Sequence, residues 1–232
     1  MRRRPRGVGA ALAPRPPPEA AGEPAAEDDG PGPYPGLARF EVADRDHFHG
    51  RDELVAELAA HTRRFRFGAL VGASGSGKSS LLRAGLIPAL REAGEPERRP
   101  AAIRILTPGA HPARTHTEVL TPHDAPGDTL LVVDQFEEVF ALCTDPAERD
   151  LFIGRLLAAD TRLRVLLAVR ADFYPHCAEH PLLAEALRDS TLLVGPLSAQ
   201  RLREAVVRPA APNSAPIQRP PASSNSWSGQ GC

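Results

Sequence analysis

Two kinds of apolar pattern alternate between residues 52 and 207. Leu54, Val55, Leu58 and Ala59 recur at helical spacing and predict a helix from about Asp52 to Arg64. Phe67-Gly68-Ala69-Leu70-Val71 is a short, nearly continuous apolar run, the mark of a strand buried on both faces. From Ser79 to Ile87 the spacing is helical again, with Pro88 expected to kink or end the helix. Four more strands are predicted at Ala102 to Leu106, Thr129 to Asp134, Leu163 to Arg170 and Thr191 to Val194. Asp145-Pro146-Ala147-Glu148 predicts a helix start, with Asp145 as N-cap and Glu148 completing a capping box. That helix should run to about Ala159 and bury Leu151, Phe152, Leu156 and, at its end, Leu157. Ser198 is expected to cap a last helix through Val207. Strands alternating with helices predict an α/β fold: a parallel sheet, helices on both faces, and ligands at the carboxyl ends of the strands.

Composition sets the boundaries. Residues 1–33 are rich in Arg, Pro, Ala and Gly and offer little to bury, so they read as a disordered leader. From about Pro209 the sequence turns to Pro, Ser, Asn and Gln around the only tryptophan, Trp227, so residues 210–232 read as a low-complexity, disordered tail. One domain over 34–209 is expected between them, with no internal repeat. A net charge of -1 argues against a nucleic-acid-coating surface, and the basic arm Arg2 to Arg6 reads as a solvated terminus. Cys143, Cys177 and Cys232 form no C-x-x-C pair, and no apolar run reaches the ~20 residues that span a bilayer. A cytoplasmic protein without a membrane partner is the expectation.

One segment carries the chemistry. Gly72-Ala73-Ser74-Gly75-Ser76-Gly77-Lys78-Ser79 is a full G-x-x-x-x-G-K-[ST] phosphate loop, and Lys78 is the only lysine in the chain. Gly72 and Gly77 are expected to let the backbone turn sharply, so that successive N–H groups face phosphate oxygens. The following helix adds its N-terminal dipole, Lys78 would reach the β- and γ-phosphates, and Ser79 would ligate Mg²⁺. Gly72 through Ser79, with Ser80 opening the helix, are therefore the candidate nucleotide-binding residues, and the fold is expected to be of P-loop NTPase type.

The other half of such a site is an acid at the end of a neighbouring strand. Leu130-Leu131-Val132-Val133-Asp134 has that form, a Walker B pattern, and Asp134 would hold the hydration shell of Mg²⁺ opposite Ser79. Hydrolysis also needs a group to polarise the attacking water. The position after Asp134 is Gln135, which orients water but is no useful base, while Glu137 and Glu138 follow closely enough for either to turn toward the γ-phosphate. Slow or switch-like turnover is expected rather than fast catalysis. Arg170, ending a predicted strand, would contact the γ-phosphate or pair with Asp172. The histidines suggest no metal beyond Mg²⁺.

Phe48-His49-Gly50-Arg51-Asp52-Glu53-Leu54 resembles the opening motif of STAND ATPases, the signal-transduction ATPases with numerous domains, and of their AAA+ relatives. With Pro33-Tyr34-Pro35-Gly36-Leu37, the phosphate loop, Val132-Val133-Asp134-Gln135-Phe136-Glu137-Glu138, Arg170 and Gly195-Pro196-Leu197, the chain is similar over about residues 33 to 209 to the novel STAND class. The resemblance implies ATP as ligand, with Gly50 and Arg51 on its adenine side, and ATP over GTP. It also implies a nucleotide-dependent signalling switch with regulated hydrolysis, self-association, and a signalling partner protein. Members of that class continue into a helical segment and a repeat array, whereas here the composition changes after Arg208-Pro209-Ala210. A non-catalytic nucleotide-binding module, or a truncated, inactive fragment of a larger regulator, therefore stands as the alternative.

Overall fold

A computed structural model describes residues 38–95, 99–159 and 161–210, and all of them belong to a single unit of the chain. The leader, the tail with Trp227 and the motif at 33–37 lie outside the described residues. Five strands form: β1 (Phe67–Gly72), β2 (Ala102–Leu106), β3 (Thr129–Val133), β4 (Leu163–Arg170) and β5 (Thr191–Val194). Each begins and ends within one residue of where the apolar runs predict it. They build one parallel sheet in the order β2-β3-β4-β1-β5.

Because successive strand residues point to opposite faces, the apolar runs feed two cores. Ala69, Val71, Leu131, Val133, Val165, Leu167 and Val169 face one of them. Leu70, Leu130, Val132, Leu166 and Ala168 face the other. The first core is covered by α3 (Pro112–Thr115), α4 (Glu138–Ala141), α5 (Pro146–Leu157), α6 (Tyr174–Glu179) and α7 (Pro181–Leu187). The second is covered by α1 (Asp52–Arg64) and a helical run over 78–91, here α2. A last helix, α8 (Ala199–Ala210), follows β5, with Ser198 Oγ accepting the Arg201 N–H at 3.3 Å as its cap. The α/β sheet with helices on both faces is the predicted fold class. The helices α6 and α7 fill a stretch that the apolar pattern leaves unassigned.

Three local expectations change. Helix α2 does not stop at Pro88 but runs to Arg91, because Leu81–Leu86 opens into a π-helix in which the Ile87 N–H bonds the Leu82 carbonyl. The wider turn moves aside the carbonyl that the proline ring would strike. In α5, Asp145 accepts the Ala147 N–H at 3.0 Å, but Glu148 closes no capping box. Its buried carboxylate instead accepts the Arg114 N–H at 2.9 Å and pairs with the Arg114 guanidinium, tying α5 to α3. Leu151 lies off the buried stripe of Phe152, Ile153 and Leu156 and is 48% exposed. Ile153 takes the core place expected for it.

Helix α1 approaches β1 closely. A Cβ on Gly68 would stand 2.5 Å from His61 Cε1 and 3.0 Å from the Ser190 carbonyl oxygen. His61 Nε2 is buried without a hydrogen-bond partner, and burial pushes the imidazole pKa below its ordinary value. The folded chain thus binds fewer protons at His61 than the unfolded chain, and stability falls as pH drops below about 6.5. Denaturant midpoints followed from about pH 7 down to pH 5 should show that slope, and His61→Gln should flatten it. An unchanged slope in the variant contradicts this reading of the α1–β1 contact.

Candidate functional site

The sheet register decides which residues meet. Gly72 at the end of β1 lies opposite Arg170 at the end of β4 and Val194 at the end of β5. Val133 pairs with Leu167, so β3 ends one strand away from β1 with β4 between them. The chain does not continue β3 beyond Val133. Asp134 still donates its N–H to the Leu106 carbonyl, but Gln135 adopts a left-handed φ of +57°, and Phe136 turns back to bond the Ala168 carbonyl. That turn aims Asp134 at the Gly-rich loop following β1.

The loop itself is shaped by two left-handed glycines, Gly75 (φ +72°) and Gly77 (φ +84°). Alternating backbone of this kind turns N–H groups into a concavity suited to anions. Gly72 has a different requirement from the one expected of it. Its φ is ordinary, but a Cβ there would stand 2.7 Å from Ser76 Oγ and 3.0 Å from Val194 Cβ, so the need is for room. Lys78 Nζ donates to the carbonyls of Gly72 (2.8 Å) and Ala73 (3.0 Å). Burial lowers the Lys78 pKa, while the charges of Glu137 and Asp134 work against that shift.

Ser79 and Asp134 are in contact, with Ser79 Oγ donating to Asp134 Oδ1 at 2.9 Å. The second oxygen, Asp134 Oδ2, is buried and has no hydrogen-bond partner, on a side chain only 2% exposed. A buried carboxylate oxygen left unsatisfied is costly, and such exceptions concentrate where a ligand or ion binds. The two glutamates separate. Glu137 borders the same cavity as Lys78, Asp134 and Arg170, and accepts the Arg170 N–H at 3.2 Å. Glu138 turns the other way and accepts the Gly109 N–H at 2.9 Å. Arg170 borders the cavity while pairing with Asp172 through two hydrogen bonds and lying over the Phe173 ring, so of the two roles foreseen for it the structure shows the pairing with Asp172.

Two cavities flank the loop and share residues 74–77. One, of about 710 Å³, is of mixed polarity and holds Lys78, Ser79, Asp134, Gln135, Glu137 and Arg170. The other, of about 590 Å³, is largely apolar and is bounded by Phe40, Phe48, Arg51, Pro196, Leu197 and Leu202. Arg51 spans the apolar one, donating to the Gly195 carbonyl (2.9 Å) and the Ser76 carbonyl (3.4 Å), and burial lowers its pKa. Gly50 does not line it, but lets the chain pass α8: at φ +81° a Cβ would meet the Arg201 carbonyl oxygen at 2.6 Å.

Phe40, Leu202 and the residues around Ser80 were not foreseen as one group. Ser80 Oγ accepts the Phe40 N–H at 3.1 Å, a contact across 40 residues that no local pattern reveals. His176 and His180 stand four apart, a spacing that would bring two ligands together on one helix. Yet α6 ends at Glu179, and His180 Nδ1 accepts the Leu183 N–H at the start of α7. Among the described residues no group of three His, Cys, Asp or Glu side chains is arranged to hold a metal, and no helix is long and apolar enough to cross a membrane.

Gly50→Ala should lower unfolding stability by about 2 kcal/mol, from the left-handed backbone and the contact with α8 together. Chemical denaturation measures it, and a loss within about 0.5 kcal/mol of zero would mean that α8 does not rest on this glycine.

A family model described as Novel STAND NTPase 1 matches residues 33–223, running past the change of composition at residue 209. No curated protein matches the chain significantly.

Proposed function

The chain belongs to the Novel STAND NTPase 1 family, and from that premise we propose that it binds Mg-ATP and hydrolyses it slowly, as the nucleotide-dependent switch of a cytoplasmic signalling protein. The carrying observation is Asp134, with one oxygen held by Ser79 and the other buried and unsatisfied beside the phosphate loop. A hydroxyl and a single carboxylate are the donor set that suits Mg²⁺, a cation that keeps several waters and takes further oxygens from phosphates. ATP fits the pair of cavities by chemistry, with its phosphates toward Lys78 and its base among Phe40, Phe48, Pro196 and Leu202. With one lysine, the chain has no Asn-Lys-x-Asp guanine-reading segment.

Each side chain then has a defined task. Bound Mg²⁺ would supply positive charge across the phosphate oxygens. Lys78 exchanges its two loop carbonyls for phosphate oxygens, which restores the acceptors its ammonium needs. Glu137 is the carboxylate positioned to take a proton from water, since Glu138 is committed to Gly109. Gln135 orients that water, and its amide in place of a carboxylate keeps turnover slow. Arg170 reports the terminal phosphate by leaving Asp172 for it. The second reading, nucleotide binding without turnover, is favoured by the bidentate hold of Asp172 on Arg170. Self-association and a signalling partner follow from the switch reading and not from any surface described above.

Single-turnover assays with purified chain separate the readings. Lys78→Ala should lose Mg-ATP binding by about 100-fold or more. Glu137→Gln should keep binding but slow phosphate release by about 10² or more, while Glu138→Gln should stay within a few-fold of wild type. Binding without any phosphate release by wild type supports the non-catalytic reading. No binding by folded wild type contradicts both.

A further inference from the structure

A second charged group sits behind the candidate metal site. Arg83 follows Ser79 by one helical turn, so both face Asp134 from α2. Arg83 Nε and Asp134 Oδ2 are both buried, both without a hydrogen-bond partner, and face one another across 3.9 Å. That separation is too long for a hydrogen bond and short enough for strong attraction. On its outer side Arg83 Nη1 donates to Glu41 Oε2 at 3.1 Å. Glu41, whose Oε1 also accepts from Arg39 Nε, belongs to a strap, residues 38–47, that crosses α2 beside the loop. The strap is pinned to the same helix by the Phe40 N–H on Ser80 Oγ, and Phe40 packs edge-on against Phe48. Gly85 lets Phe48 come this close, since a Cβ there would stand 3.1 Å from the ring.

We propose that Arg83 is a positioning residue for Asp134 and that, with Glu41, it forms a charge latch coupling metal occupancy at Asp134 to the strap. One guanidinium is shared between two carboxylates, one buried at the candidate metal site and one on the surface of the strap. Without a divalent cation, Arg83 is the countercharge of Asp134, and its hold on Glu41 is correspondingly weaker. A divalent cation at Asp134 takes over that role and repels the guanidinium toward Glu41, which tightens the strap against α2. The strap also borders both cavities through Phe40, so its tightening closes the space around a bound nucleotide. The latch rests on the Mg-nucleotide reading of the site and adds its regulation.

The test follows binding of a non-hydrolysable ATP analogue as Mg²⁺ is titrated. Arg83→Met keeps the apolar stem and removes the competing cation, so the half-saturating Mg²⁺ concentration should fall on the order of tenfold. Glu41→Gln releases Arg83 to Asp134, so that concentration should rise several-fold, and the double variant should follow Arg83→Met. Amide hydrogen exchange over residues 39–47 should slow on Mg-analogue binding in wild type and not in Arg83→Met. Unchanged Mg²⁺ dependence in both variants, or a rise in Arg83→Met, overturns the latch while leaving nucleotide binding intact. If Arg83→Met does not fold, Glu41→Gln decides alone, since its shift has the opposite sign. Wild type that binds no analogue at any Mg²⁺ concentration overturns the parent reading and the latch with it.

Discussion

The insertion of β4 between β1 and β3 fixes the distances on which the rest of the site depends. Hydrogen-bonded pairing sets Gly72 beside Arg170 and Val133 beside Leu167, so three chain reversals emerge side by side at one end of the sheet. The phosphate loop leaves β1, the turn at Gln135 leaves β3, and Arg170 closes β4. A slip of one residue in either ladder would exchange the two faces of a strand, setting Leu70 where Val71 packs, and both cores would resist it. The geometry of the site is thus held by apolar packing well away from it. The polar groups of the site are free to be poorly satisfied.

That freedom is used. Ser76 Oγ, Arg83 Nε and Asp134 Oδ2 are all buried without hydrogen-bond partners, and all lie in or next to the phosphate loop and its carboxylate. Lys78 is satisfied only by carbonyls of its own loop. Among the described residues only one other buried side-chain atom, His61 Nε2, lacks a partner, so this concentration of unsatisfied groups points to completion by something else. A bound anion with a divalent cation would complete them together. The Novel STAND NTPase 1 assignment points to a nucleotide as that anion.

Much of the architecture was legible because it rests on local patterns. The limits of α1, β2, β4 and β5 follow from apolar spacing, and the loop and Asp134 follow from motifs that strand geometry makes meaningful. What stayed hidden depends on contacts between distant segments. Glu137 and Glu138 are equivalent in sequence, and only the Gly109 N–H on one side and the Arg170 N–H on the other part them. Arg83 reads as the polar interruption of an amphipathic helix, yet the π-helical turn and the strap enclose it. Glu148 has the spacing of a capping box, but α3 offers its carboxylate a buried N–H and a guanidinium instead. Helix α2 continues past Pro88 for a related reason, since the π-helical turn before it accommodates the proline without ending the helix.

The central claim is that the unsatisfied oxygen of Asp134 and the Ser79 hydroxyl await a divalent cation carried with a nucleotide. Calorimetric titration of the wild-type chain with a non-hydrolysable ATP analogue, with Mg²⁺ and again with excess chelator, addresses it most directly. Binding is expected in both conditions, weakened about tenfold or more when the cation is removed. Equal affinity with and without Mg²⁺ would contradict it, because the carboxylate at the end of β3 would then take no part in holding the ligand.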